Sequence, residues 1–439
     1  MTNDNATAAE AIAAVIEITE VAHADAWITN KAAVLGILLV ILAFIFRTAS
    51  RESGGWKKFY GIVPSILLCY FIPGLLSTLG IIGDPSGDLY FVASRFLLPT
   101  CLVLLCLAID LPGIARLGPK LLILFFTATA GIILGGPFAL WAISLIDPSV
   151  VGGEGPDEVW RGLSTVAGSW IGGGANMTAM KEVFEPSSDL FSAMVTVDVI
   201  VANIWMGFML WMAGRARTFD RWLKADMTAM DDLQQRVEKL YAGKARIPST
   251  SDLITICAVG FAVTGIAFLA AEHIAPWFEA NHPWSARFSL TKMFFWLVVI
   301  STTVGLLLSA VPAARSLEHV GASKVATLFL YILVAVIGLE MDLTAIATYP
   351  WLFAVGLVWI LFQGILLFGM AKIIKAPCFF IAVGSQANIG GAASAPIVAS
   401  AFNPRLAPVG VLLAVLGYAV GTYGAWVCAN LMQMVSTGS

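Results

Sequence analysis

Asp198 is a carboxylate in the middle of the apolar run 189–213. Carrying a charge into hydrocarbon costs about 2.5–3.5 kcal/mol on insertion scales, so such a group faces a cavity or a partner. The chemistry it offers there is to hold a cation or a proton, and the competing role is a hydrogen bond to another helix. Side chains with ligand oxygens fall in two glycine-rich stretches. GSWIGGGANMTAM starts at Gly168 and carries Ser169, Asn176 and Thr178; GSQANIGGAASAP starts at Gly384 and carries Ser385, Gln386, Asn388 and Ser394. Asn203 follows Asp198 one turn on. The expectation is that Asp198, Asn203 and Thr178 hold a coupling ion, Na+ or H+, since oxygen ligands suit a hard cation. Ser169, Gly172, Gly173, Gly174 and Asn176, with Ser385, Gln386, Asn388, Gly390 and Gly391, are expected to line a solute site.

Other chemistries find little support. The four His (23, 273, 282 and 319) form no HExxH or other metal-ligand spacing, and there is no GxxxxGK[ST] loop for a nucleotide. The six Cys contain no CxxC pair and sit mostly in apolar runs, where they serve as small hydrophobes. No enzyme, cofactor or nucleic-acid partner is expected, the last because the net charge is -3.

The elements that position these groups belong to a bilayer. Hydrophobic residues make up 59% of the 439 positions and charged ones 12%, about half the share in soluble domains. Twelve apolar elements follow: 31–46, 60–82, 90–109, 120–146, 160–183, 189–213, 252–272, 290–311, 324–341, 350–371, 377–400 and 406–434. If all twelve crossed, Lys and Arg would alternate between successive loops. They fail to do so after the fourth element. Alternation returns if 160–183 and 377–400 each enter and leave on one side. All 25 Lys and Arg then lie in cytoplasmic loops except Lys31, Arg95, Arg161, Lys181, Arg287 and Lys292.

The same two elements match at an offset of 216 residues, which pairs Ser169 with Ser385 and Asp198 with Ala414. Carried back with one insertion, the match pairs IDLPGIA (109–115) with MDLTAIA (341–347), so Asp110 and Asp342 are expected to be equivalent, as capping residues or as interfacially solvated ones. Five crossings plus a hairpin in each half would invert the second half relative to the first, a construction common in secondary transporters. The glycines fall at each hairpin's centre, where arms of about 11 residues rise roughly 16 Å, half a bilayer core. Close helix packing is the alternative use of such glycines.

These motif pairs resemble those of a bacterial and plastid family of multi-pass membrane proteins, of the domain-of-unknown-function type, over residues 33–434. That family looks like a distant relative of sodium/glutamate, 2-hydroxycarboxylate/sodium and bile acid/sodium symporters and of sodium/proton antiporters. The resemblance implies that Gly172–Asn176 and Asn388–Gly391 shape a substrate site, although GGGAN and NIGG replace the Gly-Gly-Ser-Gly type of motif. The sequence expectation is therefore an all-α integral membrane protein of the bacterial inner membrane, with about ten crossings and two re-entrant or broken helices. Its parts are a polar lead-in (1–30), a first repeat (31–213), a basic linker (214–250), an inverted repeat (251–434) and a tail (435–439). The expected activity is Na+- or H+-coupled symport of a small polar or anionic organic solute by alternating access, with cation/proton antiport without an organic substrate as the alternative, an ion channel or membrane-embedded enzyme ranked below both, and a homodimer left open.

Overall fold

The computed structural model describes residues 26–51, 55–60, 63, 65–84, 86–228, 230, 233, 247–339, 351–403 and 406–438. Among them the chain is helical, with only an isolated bridge between Ile28 and Ile82. The helices that matter below are α1 (Lys31–Ala49), α2 (Ser65–Thr78), α3 (Asp88–Leu107), α4 (Pro119–Ser144), α5 (Val159–Phe184), α6 (Ser188–Ala213) and α7 (Ala216–Leu223). They continue as α8 (Thr250–Asn281), α9 (Met293–Ser309), α10 (Ala322–Leu339), α11 (Trp351–Ile373), α12 (Cys378–Ile389), α13 (Gly391–Phe402) and α14 (Ala407–Thr437).

Eight of the described helices are long and apolar enough to cross a membrane, or nine if α9 and its bent continuation Pro312–Val320 count as one. The difference from about ten crossings lies in α2, which has 14 residues, and α9, which has 17. The apolar run of α2 is cut short before Gly80, whose φ of +66° ends the helix. Val311 precedes Pro312 and is extended, as the proline ring requires, and this stops α9.

The chain divides into two compact units, Met1–Leu97 with Leu328–Thr348, and Leu98–Thr327 with Tyr349–Ser439. In the first, the Ser77 hydroxyl donates to the Leu339 carbonyl at 2.8 Å, the Phe46 and Tyr331 rings meet edge-on, and Lys31 pairs with Asp88. Asp342 and the rest of 340–350 lie outside the described residues.

The second unit holds both glycine-rich stretches. As one straight helix α5 would separate Arg161 from Phe184 by about 34 Å. Instead Arg161 Nη1 donates to the Phe184 carbonyl at 2.7 Å, the Trp160 and Phe184 rings meet at 5.5 Å, and Gly168 abuts the Asn176 backbone. α5 is thus a helical hairpin, broken at Gly173. α12 and α13 form another, in which the Phe379 and Phe402 rings come to 5.4 Å. A Cβ at Gly168 would lie 2.5 Å from the Asn176 carbonyl oxygen. We therefore expect Gly168→Leu to cost roughly 1–3 kcal/mol by forcing the arms apart. Gly36→Leu, where a Cβ meets nothing within 4 Å, is the control. Thermal unfolding of the two purified variants in detergent measures the difference.

The hairpins start from opposite ends of α6. Glu185, Pro186 and Ser187 join α5 directly to the start of α6, where the Ser187 amide donates to the Pro156 carbonyl and Lys292 pairs with Glu185. At the other end α7 follows α6, and Asp220 of α7 accepts from the Cys378 amide at the start of α12. That end collects basic residues from three segments. Lys120 pairs with Asp226 at 2.8 Å, the Asp226 amide donates to the Lys375 carbonyl, and the Lys372 ammonium lies 4.6 Å from the Trp222 ring centre. The Lys120 hydrogen bond is the main cause that lowers the Asp226 carboxyl to about 2.

Candidate functional site

α6 is the strut between the hairpins. Its N-terminus is fixed by Ser187, whose hydroxyl accepts from the Leu190 amide, and one buried face carries Asp198 and, two turns on, Trp205. Asp198 is 9% exposed. Its Oδ2 accepts from Ser169 Oγ at 2.8 Å and its Oδ1 from Trp170 Nε1 at 2.6 Å, both on the first arm of α5. Both donors are neutral, and no cationic side chain pairs with the carboxylate among the described residues. Trp205 reaches the other hairpin: its Nε1 donates to Ser385 Oγ at 2.7 Å, and Gln363 Nε2 of α11 donates to the same oxygen at 3.0 Å. Ser169 and Ser385, which the 216-residue offset pairs, are thus tied to one helix.

The tips are positioned by asparagines. Asn176 Nδ2 donates to the Gly172 carbonyl of its own hairpin and to the Tyr418 carbonyl of α14, while Thr422 Oγ1 donates to its Oδ1. Asn388 repeats the pattern on α4. Its Nδ2 donates to the Gly384 and Phe125 carbonyls, and Thr129 Oγ1 donates to its Oδ1 at 2.9 Å. Each amide therefore clamps a hairpin to a neighbouring long helix across a carbonyl and a threonine one turn apart. Such a buried amide with its donors and acceptor paired fixes position.

The glycines divide by role. Gly173 has φ +72° and ψ −174°, a region essentially reserved for glycine. Gly391 has φ +56°. A Cβ at Gly391 would meet nothing within 4 Å although the residue is buried, and at Gly173 only the Tyr418 ring at 3.5 Å. Open space therefore borders the Gly391 break, whereas a Cβ at Gly173 would lie in ordinary contact with the Tyr418 ring. Gly172 instead lets α14 approach, a Cβ there falling 2.9 Å from the Gly417 carbonyl oxygen. Gly390 has a negative φ, and a Cβ would strike the side chains of Ser394 and Gln386. The Gly174 carbonyl accepts from Thr178 Oγ1, and Asn203 Nδ2 donates to the Val199 carbonyl, so both polar groups are turned onto their own helices. Gln386 Nε2 donates to Ser394 Oγ at 2.8 Å. The carbonyl oxygens of Gln386 and Gln363 are buried with no hydrogen-bond partner among the described residues, a condition that calls for a ligand or an ordered water.

A model of the family described as protein of unknown function (DUF819) matches residues 36–435. The chain belongs to that family. The DUF819 match contains both hairpins, α6 and the long helices that clamp the tips. The chain is also similar to the uncharacterized membrane protein YjcL of Bacillus subtilis (strain 168), at 24% identity over 350 residues that cover 77% of this chain and 82% of that one. With eight apolar helices of spanning length among the described residues, the DUF819 chain is a membrane protein.

Sequence reasoning missed Trp170, Trp205, Gln363, Thr129 and Thr422. Trp205 carried a signal: it lies seven residues from Asp198, hence on the same helix face. Thr129 and Thr422 are ordinary residues of apolar runs, and only their neighbours make them specific.

Proposed function

We propose that this protein is a secondary transporter that moves a small polar or anionic organic solute, coupled to Na+ or H+, by alternating access. The observation that carries the reading is that two glycine-broken hairpins, rooted at opposite ends of one apolar helix, both bond to that helix about its middle, where Asp198 lies. On this reading the hairpins enter a bilayer from opposite faces, as two inverted halves would place them. Discontinuous backbone at membrane depth is tolerated where it lines a cavity or is buried in protein; the Gly391 break borders open space and the Gly173 break packs against Tyr418. Ligand groups are at hand: the Asp198 carboxylate for a cation, and the buried Gln363 and Gln386 oxygens for a cation or for donors on a solute. The distant relation to sodium-coupled symporters that the family resemblance implies points the same way, although GGGAN and NIGG depart from the symporter motif. The cell membrane is the expected location.

A second reading, exchange of cations for protons without an organic solute, draws on the neutral hydrogen bonds at Asp198, which leave its charge available to an ion alone. Proteoliposomes preloaded with labelled amino acids and small carboxylates separate the two. Symport predicts counterflow of one organic solute and Na+- or H+-driven accumulation of it. If ion gradients collapse through the protein while no organic solute exchanges, antiport holds. If neither flux occurs, the transporter reading fails.

A further inference from the structure

The helices that bring Thr129 and Gln363 to the second hairpin turn another face outward. α4 and α11 pack closely, Gly131 against Gln363 and Gly135 against Trp359. Beside that seam runs a groove of 920 Å³, walled by Pro119, Phe126 and Ala130 on α4 and by Ile365, Gly369 and Ile373 on α11. Its chemistry is apolar. The one hydroxyl in its wall, Thr127, donates to the Ile123 carbonyl of its own helix. Ile365 and Ile373 are 72% and 77% exposed. From Pro119 to Ala130 the groove extends about 16 Å, the depth of one leaflet of a bilayer core of about 30 Å.

One end of the groove has a distinct character. It finishes at Pro119 and Ile373, each next in sequence to a lysine, Lys120 or Lys372, and Lys375 follows. α7 lies at this end, held by the Asp220–Cys378 contact and by Lys372 over the Trp222 ring. Arg217, Arg221 and Lys224 are exposed there, and Trp222 is 52% exposed. A short basic helix with an exposed indole at the end of membrane-spanning helices suits the headgroup level, where anionic lipids attract cations and Trp settles.

We infer that this groove holds an acyl chain of an anionic phospholipid, whose phosphate is met by Lys372 and the basic residues of α7. A second copy of the chain fits less well, because a two-fold partner would bring its own basic cluster against this one. The site also touches the hairpin machinery: α7 and Lys375 anchor the start of α12 through Asp220–Cys378 and Asp226–Lys375. Any effect of the lipid on uptake rests on the transporter reading; the binding itself does not.

Native mass spectrometry of the full chain in detergent, equilibrated with equal dioleoyl phosphatidylglycerol and dioleoyl phosphatidylcholine, tests this directly. Phosphatidylglycerol should be retained about fivefold or more over phosphatidylcholine, in keeping with the attraction of one or two surface cations. Lys372→Gln should lower that preference about fivefold. Gly369→Phe should abolish retention, because a side chain there enters open space in the groove without meeting the backbone. Ala130→Leu fills the groove from the other wall and serves if Gly369→Phe does not fold. Equal retention of both lipids by the native chain, or undiminished phosphatidylglycerol in the groove-filling variants, overturns the assignment. So does a change from dimer to monomer in those variants with lipid retained, which would give the groove to a second copy.

Discussion

Asp198→Asn is expected to cripple ion-driven accumulation while leaving the fold intact. The amide retains the shape of the carboxylate and fits its two partners: Oδ1 can accept from Trp170 Nε1, and Nδ2 can donate to Ser169 Oγ, whose hydroxyl rotates to accept. What disappears is a charge buried at a cost, so the melting temperature should hold or rise. Accumulation should fall roughly 10- to 100-fold, the equivalent of one charge-assisted interaction of about 1.5–3 kcal/mol with the coupling ion. The measurement is uptake of the identified solute into proteoliposomes under an imposed Na+ or pH gradient, beside thermal unfolding. If Asp198→Asn accumulates solute at the native rate with the native ion dependence, Asp198 does not couple. If the protein unfolds instead, Asp198 is primarily the strut that holds α5 to α6.

That distinction matters because much of the frame can be read from sequence while the purpose of each polar group cannot. The apolar run 189–213 coincides with α6 to within a residue, and the glycines mark where both helical elements break. Run length and glycine placement are local properties, set by the 1.5 Å rise and by backbone sterics, so they survive without tertiary information. Asn176 and Asn388 show the opposite case. As polar residues beside glycines they suggest ligands, yet the structure turns both amides onto neighbouring helices, and no local pattern announces Thr422 or Thr129 as their partners. Thr178 and Asn203 illustrate a third outcome, in which an oxygen or amide inside a helix bonds the carbonyl one turn back. Gln363, set in the apolar run 350–371 with no motif around it, becomes notable only because α4 packs over it and leaves its carbonyl oxygen unpartnered.

The two hairpins should answer differently to the same substitution at their breaks, although both breaks are built from glycine. At Gly173 the pair φ +72°, ψ −174° is closed to every residue with a Cβ, whereas contact is no obstacle, the nearest atom lying 3.5 Å away. Gly173→Ala and Gly173→Asn should therefore each lose about 1–3 kcal/mol and most of the uptake, by conformation alone. At Gly391 the φ of +56° lies in the left-handed region, which Asn enters several times more readily than other residues, and a Cβ meets nothing within 4 Å. Gly391→Asn should fold and keep uptake within about threefold, while Gly391→Val should fail, since a β-branched residue is a true outlier there. Gly390 completes the comparison: its φ is negative, so Gly390→Ala fails only through its clash with Ser394 and Gln386, and adding Ser394→Ala should restore part of the loss. Melting temperature and uptake measured across these five single variants and the Gly390→Ala/Ser394→Ala pair separate conformation from crowding. Equal tolerance of Asn at 173 and 391 would remove the conformational account of the first hairpin and leave close packing against α14 as the use of its glycines.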